Sequence, residues 1–120
     1  MDYNNKYDIV GFSNDLGLSI EDVSELYAEL VHELNSALVE LKLFIYDKDF
    51  EKIRKIIHNI KGVSGNYRLT DIYDETSRIN DALKNTEYPE FEKDFNHLFN
   101  ITYSAIKEIT NFFKRKSISI

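Results

Sequence analysis

The residues best suited to chemistry in this 120-residue chain lie between positions 54 and 68. His58 is followed by Lys61 and Gly62 in a segment that is otherwise periodic in apolar residues. At about 100° per residue, the apolar side chains of residues 53–67 form one stripe of a helix, and His58 points away from it toward solvent. A solvent-facing imidazole that is largely neutral above pH 7 has a ring nitrogen free to act as a nucleophile. Lys61, one helical turn further on, can offset the charge of a phosphoryl group placed on that ring.

Two glycines inside this helix, Gly62 and Gly65, leave the surface beside His58 bare. Each costs about 1 kcal/mol relative to alanine, a loss expected where the backbone or active-site rim of a partner comes close. An isolated surface histidine is usually incidental, but the flanking pattern favours a functional one. An acidic partner could meet the cations around this helix, although an ordinary solvated helix face explains them almost as well. These cations are Lys48, Lys52, Arg54, Lys55, Lys61 and Arg68.

This segment resembles the signature of histidine-containing phosphotransfer (HPt) domains, a family that includes the amino-terminal domain of chemotaxis kinases. In that signature a histidine is followed by two residues, by Lys-Gly, and by small residues at the sixth and seventh positions. The resemblance extends over most of the chain, with departures at Ile57 for an alanine, Arg68 for a glycine, and Asn80 for the glutamate that hydrogen-bonds the imidazole in chemotaxis-type members. The matching residues are His58, Ile60, Lys61, Gly62, Ser64 and Gly65.

The resemblance implies a phosphorelay intermediate. His58 would accept a phosphoryl group from the aspartyl phosphate of a response-regulator receiver domain or from a histidine kinase, hybrid kinases included, and pass it to the aspartate of another receiver. Lys61 would stabilise the phosphorylated state, and Asn80 is expected to orient the ring. No Gly-rich nucleotide loop is present, so we expect a phosphohistidine carrier without its own ATP site or cofactor, with Mg²⁺ bound by the receiver. The expected docking surface consists of Arg54, Lys55, Gly62, Gly65 and Arg68.

Two other classes of function remain open. A non-transferring helical adaptor would dock receiver or kinase domains without chemistry, and its activity would survive a His58→Gln substitution. A purely structural helical partner protein is the third class, although the surface around His58 is too poor in apolar residues for a good structural interface.

Composition excludes several further classes. The formal net charge of −6, from 15 Lys and Arg against 21 Asp and Glu, argues against a nucleic-acid partner. The chain has no cysteine for disulfide or thiolate chemistry. No secretory leader or long apolar run is evident, so we expect a cytoplasmic protein without a membrane segment. His32 and His97 lie off the apolar stripes and are expected at the surface, and no residue spacing predicts a metal site or paired-acid catalysis.

Apolar periodicity predicts an all-α fold with four long helices. They run from about Ile20 to Tyr46 after a Ser19 cap, from Phe50 to about Tyr67 after an Asp49 cap, from about Thr70 to Asn85, and from about Pro89 to Lys114. Pro89 is expected at the first position of the last helix. Short connections favour an antiparallel up-down four-helix bundle over residues 19–116. We expect residues 1–18 to be a short extra helix or arm and residues 117–120 to be a tail.

Overall fold

The computed structural model describes residues 6–120, which form five α-helices and no strand. The helices are α1 (Ile9–Leu16), α2 (Ile20–Tyr46), α3 (Phe50–Asn66), α4 (Thr70–Ala82) and α5 (Phe91–Arg115). Helix α1 lies within the predicted arm, whose first five residues fall outside the described part of the chain. The all-helical prediction is confirmed.

The helix boundaries agree with the predicted ones most closely at α2 and least closely around residues 83–90. The bounds of α2 match at both ends, and α3 ends one residue early. Helix α4 ends at Ala82, because the amides of Lys84 and Asn85 donate to carbonyls only three residues back, at 3.2 and 3.1 Å. The prediction for Pro89 is wrong. Pro89 lies in the turn before α5, and Glu90 is the N-cap whose carbonyl accepts the Asp94 amide at 2.8 Å.

Side-chain caps start α2 and α3 where the sequence predicts them. The Ser19 hydroxyl accepts the Asp22 amide at 3.0 Å, and the Asp49 carboxylate accepts the Lys52 amide at 3.2 Å. Each such cap stabilises a helix by about 1 kcal/mol. The start of the helix that carries His58 is therefore set locally.

Helix α3 ends in a Schellman motif with Arg68 in the left-handed region, at φ +59°. The Leu69 amide donates to the Ser64 carbonyl at 2.8 Å and the Arg68 amide to the Gly65 carbonyl at 3.3 Å. Left-handed backbone favours glycine, which is the residue that the resembled family has at this position. Helices α2 and α5 end in the same way, with the non-glycine residues Lys48 (φ +57°) and Ser117 (φ +61°).

Contacts between helices close a ring around one core. Helix α2 contacts α1, α3 and α5, α3 packs most extensively on α4, and α4 contacts α5. This packing is compatible with a helical bundle. The side chains that face the core from α4 and its C-cap are buried (Ile72, Thr76, Ile79 and Leu83). Tyr27 of α2 is 1% exposed and packs its ring against Phe12, Tyr67 and Phe113.

Tyr7, just before α1, is hydrogen-bonded to both α4 and α5. The Tyr7 hydroxyl donates to Asp71 of α4 at 2.8 Å, and the Tyr7 amide donates to Glu108 of α5 at 3.0 Å. Burial and the neighbouring carboxylates raise the pKa of the Tyr7 hydroxyl, so it remains a hydrogen-bond donor at physiological pH. These bonds connect the start of the described chain to α4 and α5.

A buried carboxylate anchors the connection between α4 and α5. Asp94 is 5% exposed and accepts two hydrogen bonds from the Arg78 guanidinium, at 2.8 and 3.1 Å, and one from the Tyr88 hydroxyl. The Arg78 guanidinium is the main cause that lowers the pKa of Asp94. The network holds the segment 83–90 against the helices, and Lys84 of that segment lies near His58.

Candidate functional site

His58 lies about halfway along α3 on the exposed side of the helix. Its neighbours Ile57 and Ile60 are 0% and 1% exposed, so the buried stripe holds the helix with the imidazole facing solvent. Within residues 6–120 the imidazole has no hydrogen-bond or ion-pair partner. Both ring nitrogens are therefore available to an incoming group.

A shallow depression of about 490 Å³ lies between α3 and the end of α4, and His58 forms part of its wall. Asn80 borders it from α4 and Lys84 from the turn that follows. The other lining residues belong to α3 and are Glu51, Arg54, Lys55 and Asn59. A group bonded to His58 would be partly enclosed by two helices.

The depression carries more positive than negative charge, because three cations line it against one carboxylate. Lys55 is 3.8 Å from Glu51, and Lys84 is 3.5 Å from Asp81 outside the depression. Both ion pairs are exposed, and such pairs contribute only about 0–1 kcal/mol. Their lysines can turn toward an anion at small cost, so the field favours a negatively charged group beside His58.

Arg54 also ties the two sides of the depression together. Its guanidinium donates to the Leu83 carbonyl, the C-cap of α4, at 3.3 Å. This bond satisfies one of the carbonyls left without a partner at the helix end. Arg54 therefore has a structural contact in addition to the docking role predicted for it.

Asn80 is half-buried and shares the depression with His58. Its carboxamide can donate or accept a hydrogen bond, although the structure records none between it and the imidazole. The ring-orienting role of Asn80 stays a prediction that their placement permits.

Lys61 lies outside the residues that line the depression. Its ammonium nitrogen is 5.8 Å from the centre of the Tyr73 ring, which α4 contributes. In this structure the cation predicted to stabilise the phosphorylated state makes contact with an aromatic face. Within residues 6–120 no hydrogen bond or electrostatic contact joins Lys61 to His58, and the predicted role requires the ammonium to come within hydrogen-bond distance of a phosphoryl group on that ring.

The two glycines of α3 have different surroundings. A Cβ atom at Gly62 would meet nothing within 4 Å, whereas one at Gly65 would lie 3.1 Å from two carbons of the Tyr73 ring. Gly65 therefore lets a side chain of α4 pack closely on α3. The docking roles predicted for both glycines stay predictions, and open space is found only beside Gly62.

Arg68 is already engaged with α1 and lies at the far end of α3 from the depression. Its guanidinium is 2.7 Å from the Asp15 carboxylate and 5.3 Å from the centre of the Phe12 ring. The structure thus brings His58, Arg54, Lys55 and Asn80 together. It places Arg68 apart from them.

Lys84 also lines the depression, although it was not predicted from the sequence. It lies four positions after Asn80, and residues four apart share one side of a helix. That spacing could have predicted Lys84 at the site, but only if the placement of Asn80 beside His58 had been known.

Other potential sites offer less chemistry. His32 and His97 are exposed on α2 and α5, as predicted. In the described part of the chain, no group of three or more His, Cys, Asp or Glu residues could hold a metal ion, and no helix is long and apolar enough to cross a membrane. The apolar groove of about 630 Å³ between α2, α3 and α5 is larger than the His58 depression but contains no histidine, and Phe50, Phe91, Phe95 and Phe99 dominate it.

No protein-family model, curated protein sequence or solved structure matches this chain. The residues around His58, their geometry and the resemblance of their signature are therefore the indications of function.

Proposed function

We propose that this protein is a phosphorelay intermediate of the HPt type, which accepts a phosphoryl group on His58 and passes it to or from the aspartate of a response-regulator receiver domain. The observation that carries the proposal is the unpartnered, exposed imidazole of His58 in a cation-rich depression that it shares with Asn80. The Lys61-Gly62 pair that follows supports it through the resemblance.

The proposed reaction is an in-line phosphoryl transfer. The unprotonated ring nitrogen of His58 attacks the phosphorus of the aspartyl phosphate, a P–N bond forms, and the P–O bond to the aspartate breaks and returns a carboxylate. Mg²⁺ bound by the receiver neutralises charge during the transfer. In this chain, Arg54, Lys55 and Lys84 provide a positive field for the dianionic group, and Lys61 stabilises it.

The proposed fold is the antiparallel up-down four-helix bundle formed by α2–α5. The closed ring of helix contacts and the short connections at residues 47–49 and 67–69 support it, because short connections make neighbouring helices antiparallel. The proposed partners are receiver domains and a histidine kinase, hybrid kinases included. These partners place the protein in the cytoplasm, with neither nucleic acid nor membrane among its ligands.

The proposed docking surface runs along the exposed side of α3, from the depression beside His58 to Arg68 at the end of the helix. Gly62 provides room for a partner backbone, since nothing lies within 4 Å of the position of its missing Cβ. The basic side chains complement the acidic phosphorylation site of a receiver. The surface comprises Arg54, Lys55, Gly62, Gly65 and Arg68.

The test is to incubate the purified chain with phosphoramidate, or with a phosphorylated receiver, and to measure intact mass. We expect one acid-labile gain of about 80 daltons, the mass of one phosphoryl group, in the parent and none in His58→Gln. His32→Gln and His97→Gln are matched controls, because both histidines are exposed on other helices, and both variants should gain the same mass as the parent. If no variant gains mass while receivers still bind, the protein is a non-transferring adaptor.

Asn80 provides a second test of the site. A neutral amide raises the basicity of a neighbouring imidazole less than a carboxylate does. We expect Asn80→Glu to accept a phosphoryl group faster than the parent, with Asn59→Glu, on α3 in the same depression, as a control for the added charge. Equal rates for Asn80→Glu and the parent would contradict a role for this position in controlling the ring.

A further inference from the structure

Tyr73 links the two features of α3 that the HPt resemblance assigns to phosphoryl chemistry and docking. Tyr73 belongs to α4 and is 39% exposed. Its ring packs against α3, where it lies 3.1 Å from the position that a Cβ at Gly65 would occupy. The ring centre is 5.8 Å from the Lys61 ammonium nitrogen. The missing side chain of Gly65 thus makes room for an aromatic face beside Lys61.

The Lys61 ammonium has two favourable positions. One is the Tyr73 ring, where the cation is attracted by the negative face of the π-system. The other is the phosphoryl group on His58, where the cation must come within hydrogen-bond distance of an oxygen. The structure shows the first position, because the ammonium lies over the Tyr73 ring and no contact between Lys61 and His58 is present within residues 6–120.

We propose that Tyr73 is a positioning residue that holds Lys61 away from His58 and thereby lowers the stability of the phosphohistidine. Each phosphorylation then requires the ammonium to leave the ring, and each dephosphorylation lets it return. A weaker hold on the phosphoryl group suits a carrier that must release it to an acceptor. This inference rests on the proposed function and assigns a residue that neither the signature nor the spacing around His58 identifies.

The test compares phosphorylation equilibria in mixtures of phosphoramidate and ammonia at a fixed ratio. The ring nitrogen of His58 attacks phosphorus, the P–N bond of phosphoramidate breaks and ammonia leaves, so the ratio sets the phosphorylated fraction. We expect Tyr73→Leu to raise the equilibrium constant about two- to fivefold, the range for an exposed cation–π contact. Tyr73→Phe keeps the ring and should behave like the parent. Circular dichroism confirms that each variant is folded.

The control that separates positioning from a general structural effect is the same substitution in a Lys61→Met background. Methionine keeps an unbranched apolar side chain without the charge, so Tyr73→Leu should then leave the equilibrium unchanged. Two results would overturn the inference. In the first, Tyr73→Leu raises the equilibrium constant of phosphorylation in the Lys61→Met background as well. In the second, Tyr73→Leu lowers that constant or leaves it unchanged when Lys61 is present. Both results leave the proposed function standing, whereas a parent that is never phosphorylated refutes the function itself.

A second measurement needs no phosphorylation. In the unphosphorylated protein, ring current from Tyr73 should move the NMR signals of the Lys61 ε-methylene protons upfield, and Tyr73→Leu should abolish that shift. The absence of the shift in the parent would also overturn the inference. In the phosphorylated parent we expect the shift to decrease as the ammonium leaves the ring.

Discussion

Replacing Gly62 by alanine should make the protein more stable. Glycine in a helix interior costs about 1 kcal/mol relative to alanine, and the added Cβ would meet no atom within 4 Å. No steric term offsets the gain. Unfolding entropy scales at about 2.1 cal/mol/K per residue, so 1 kcal/mol in this 120-residue chain corresponds to a Tm increase of about 4 °C.

Gly65→Ala in the same helix is the matched control. It gains the same helix propensity but brings its Cβ to 3.1 Å from the Tyr73 ring, which must shift. We therefore expect a smaller increase in the free energy of unfolding than for Gly62→Ala. In a Tyr73→Ala background, where the ring is absent, Gly65→Ala should recover the full gain.

Urea denaturation followed by circular dichroism measures both variants, with unchanged m-values as the sign that only stability differs. If Gly62→Ala were neutral or destabilising, the argument that its helix accepts a cost for an open surface would be refuted. The effect of Gly62→Ala on function is measured as the ratio of two phosphoryl-transfer rates. Transfer from a phosphorylated receiver should fall relative to transfer from phosphoramidate, because only the receiver needs the space beside Gly62.

Three further predictions concern the rest of the fold. Asp94→Asn should lower the free energy of unfolding by about 1–3 kcal/mol at pH 7 by weakening the bonds from Arg78. Because the pKa of Asp94 is lowered in the folded state, its contribution is fully present above the ordinary carboxyl pKa of about 4 and is lost as the pH falls through the folded value. The difference in Tm between parent and variant should therefore shrink below pH 4, and a constant difference would contradict the assignment. Lys48→Gly should stabilise by about 1 kcal/mol, since it relieves left-handed backbone and breaks no ion pair recorded within residues 6–120. Arg68→Gly should change the free energy of unfolding by no more than about 0.5 kcal/mol, because it also removes the contacts of Arg68 with Asp15 and Phe12. Urea denaturation measures both glycine variants, and equal gains in stability would show that those contacts contribute nothing.

Local signals in the sequence predict the helices well. The caps at Ser19 and Asp49 involve residues three positions apart, so their geometry is encoded within one turn. The end of α4 and the start of α5 were harder to predict. There the network around Asp94 holds the connecting segment, and a hydrogen bond between residues 16 positions apart is invisible to a periodicity argument.

In the candidate site, too, features within one helix can be predicted from the sequence, and features between helices cannot. The exposure of His58 follows from the stripe of α3 alone. Three other features depend on where α4 lies against α3. They are the position of Asn80 and Lys84 beside His58, the contact of Lys61 with Tyr73, and the packing of Tyr73 at Gly65. No pattern within a single helix determines that placement.

The hydrogen bond from the Tyr7 amide to Glu108 has a consequence for the order of folding. It joins residues 101 positions apart, whereas α3 and α4 are joined through residues 67–69 alone. Loop-closure entropy grows with the length of chain enclosed, so the hairpin that carries His58 can form while the chain ends are still apart. During synthesis that hairpin leaves the ribosome before Glu108 does, because Glu108 lies C-terminal to it. Protection of the Tyr7 amide from hydrogen exchange would then mark the moment at which the whole ring of helices has closed.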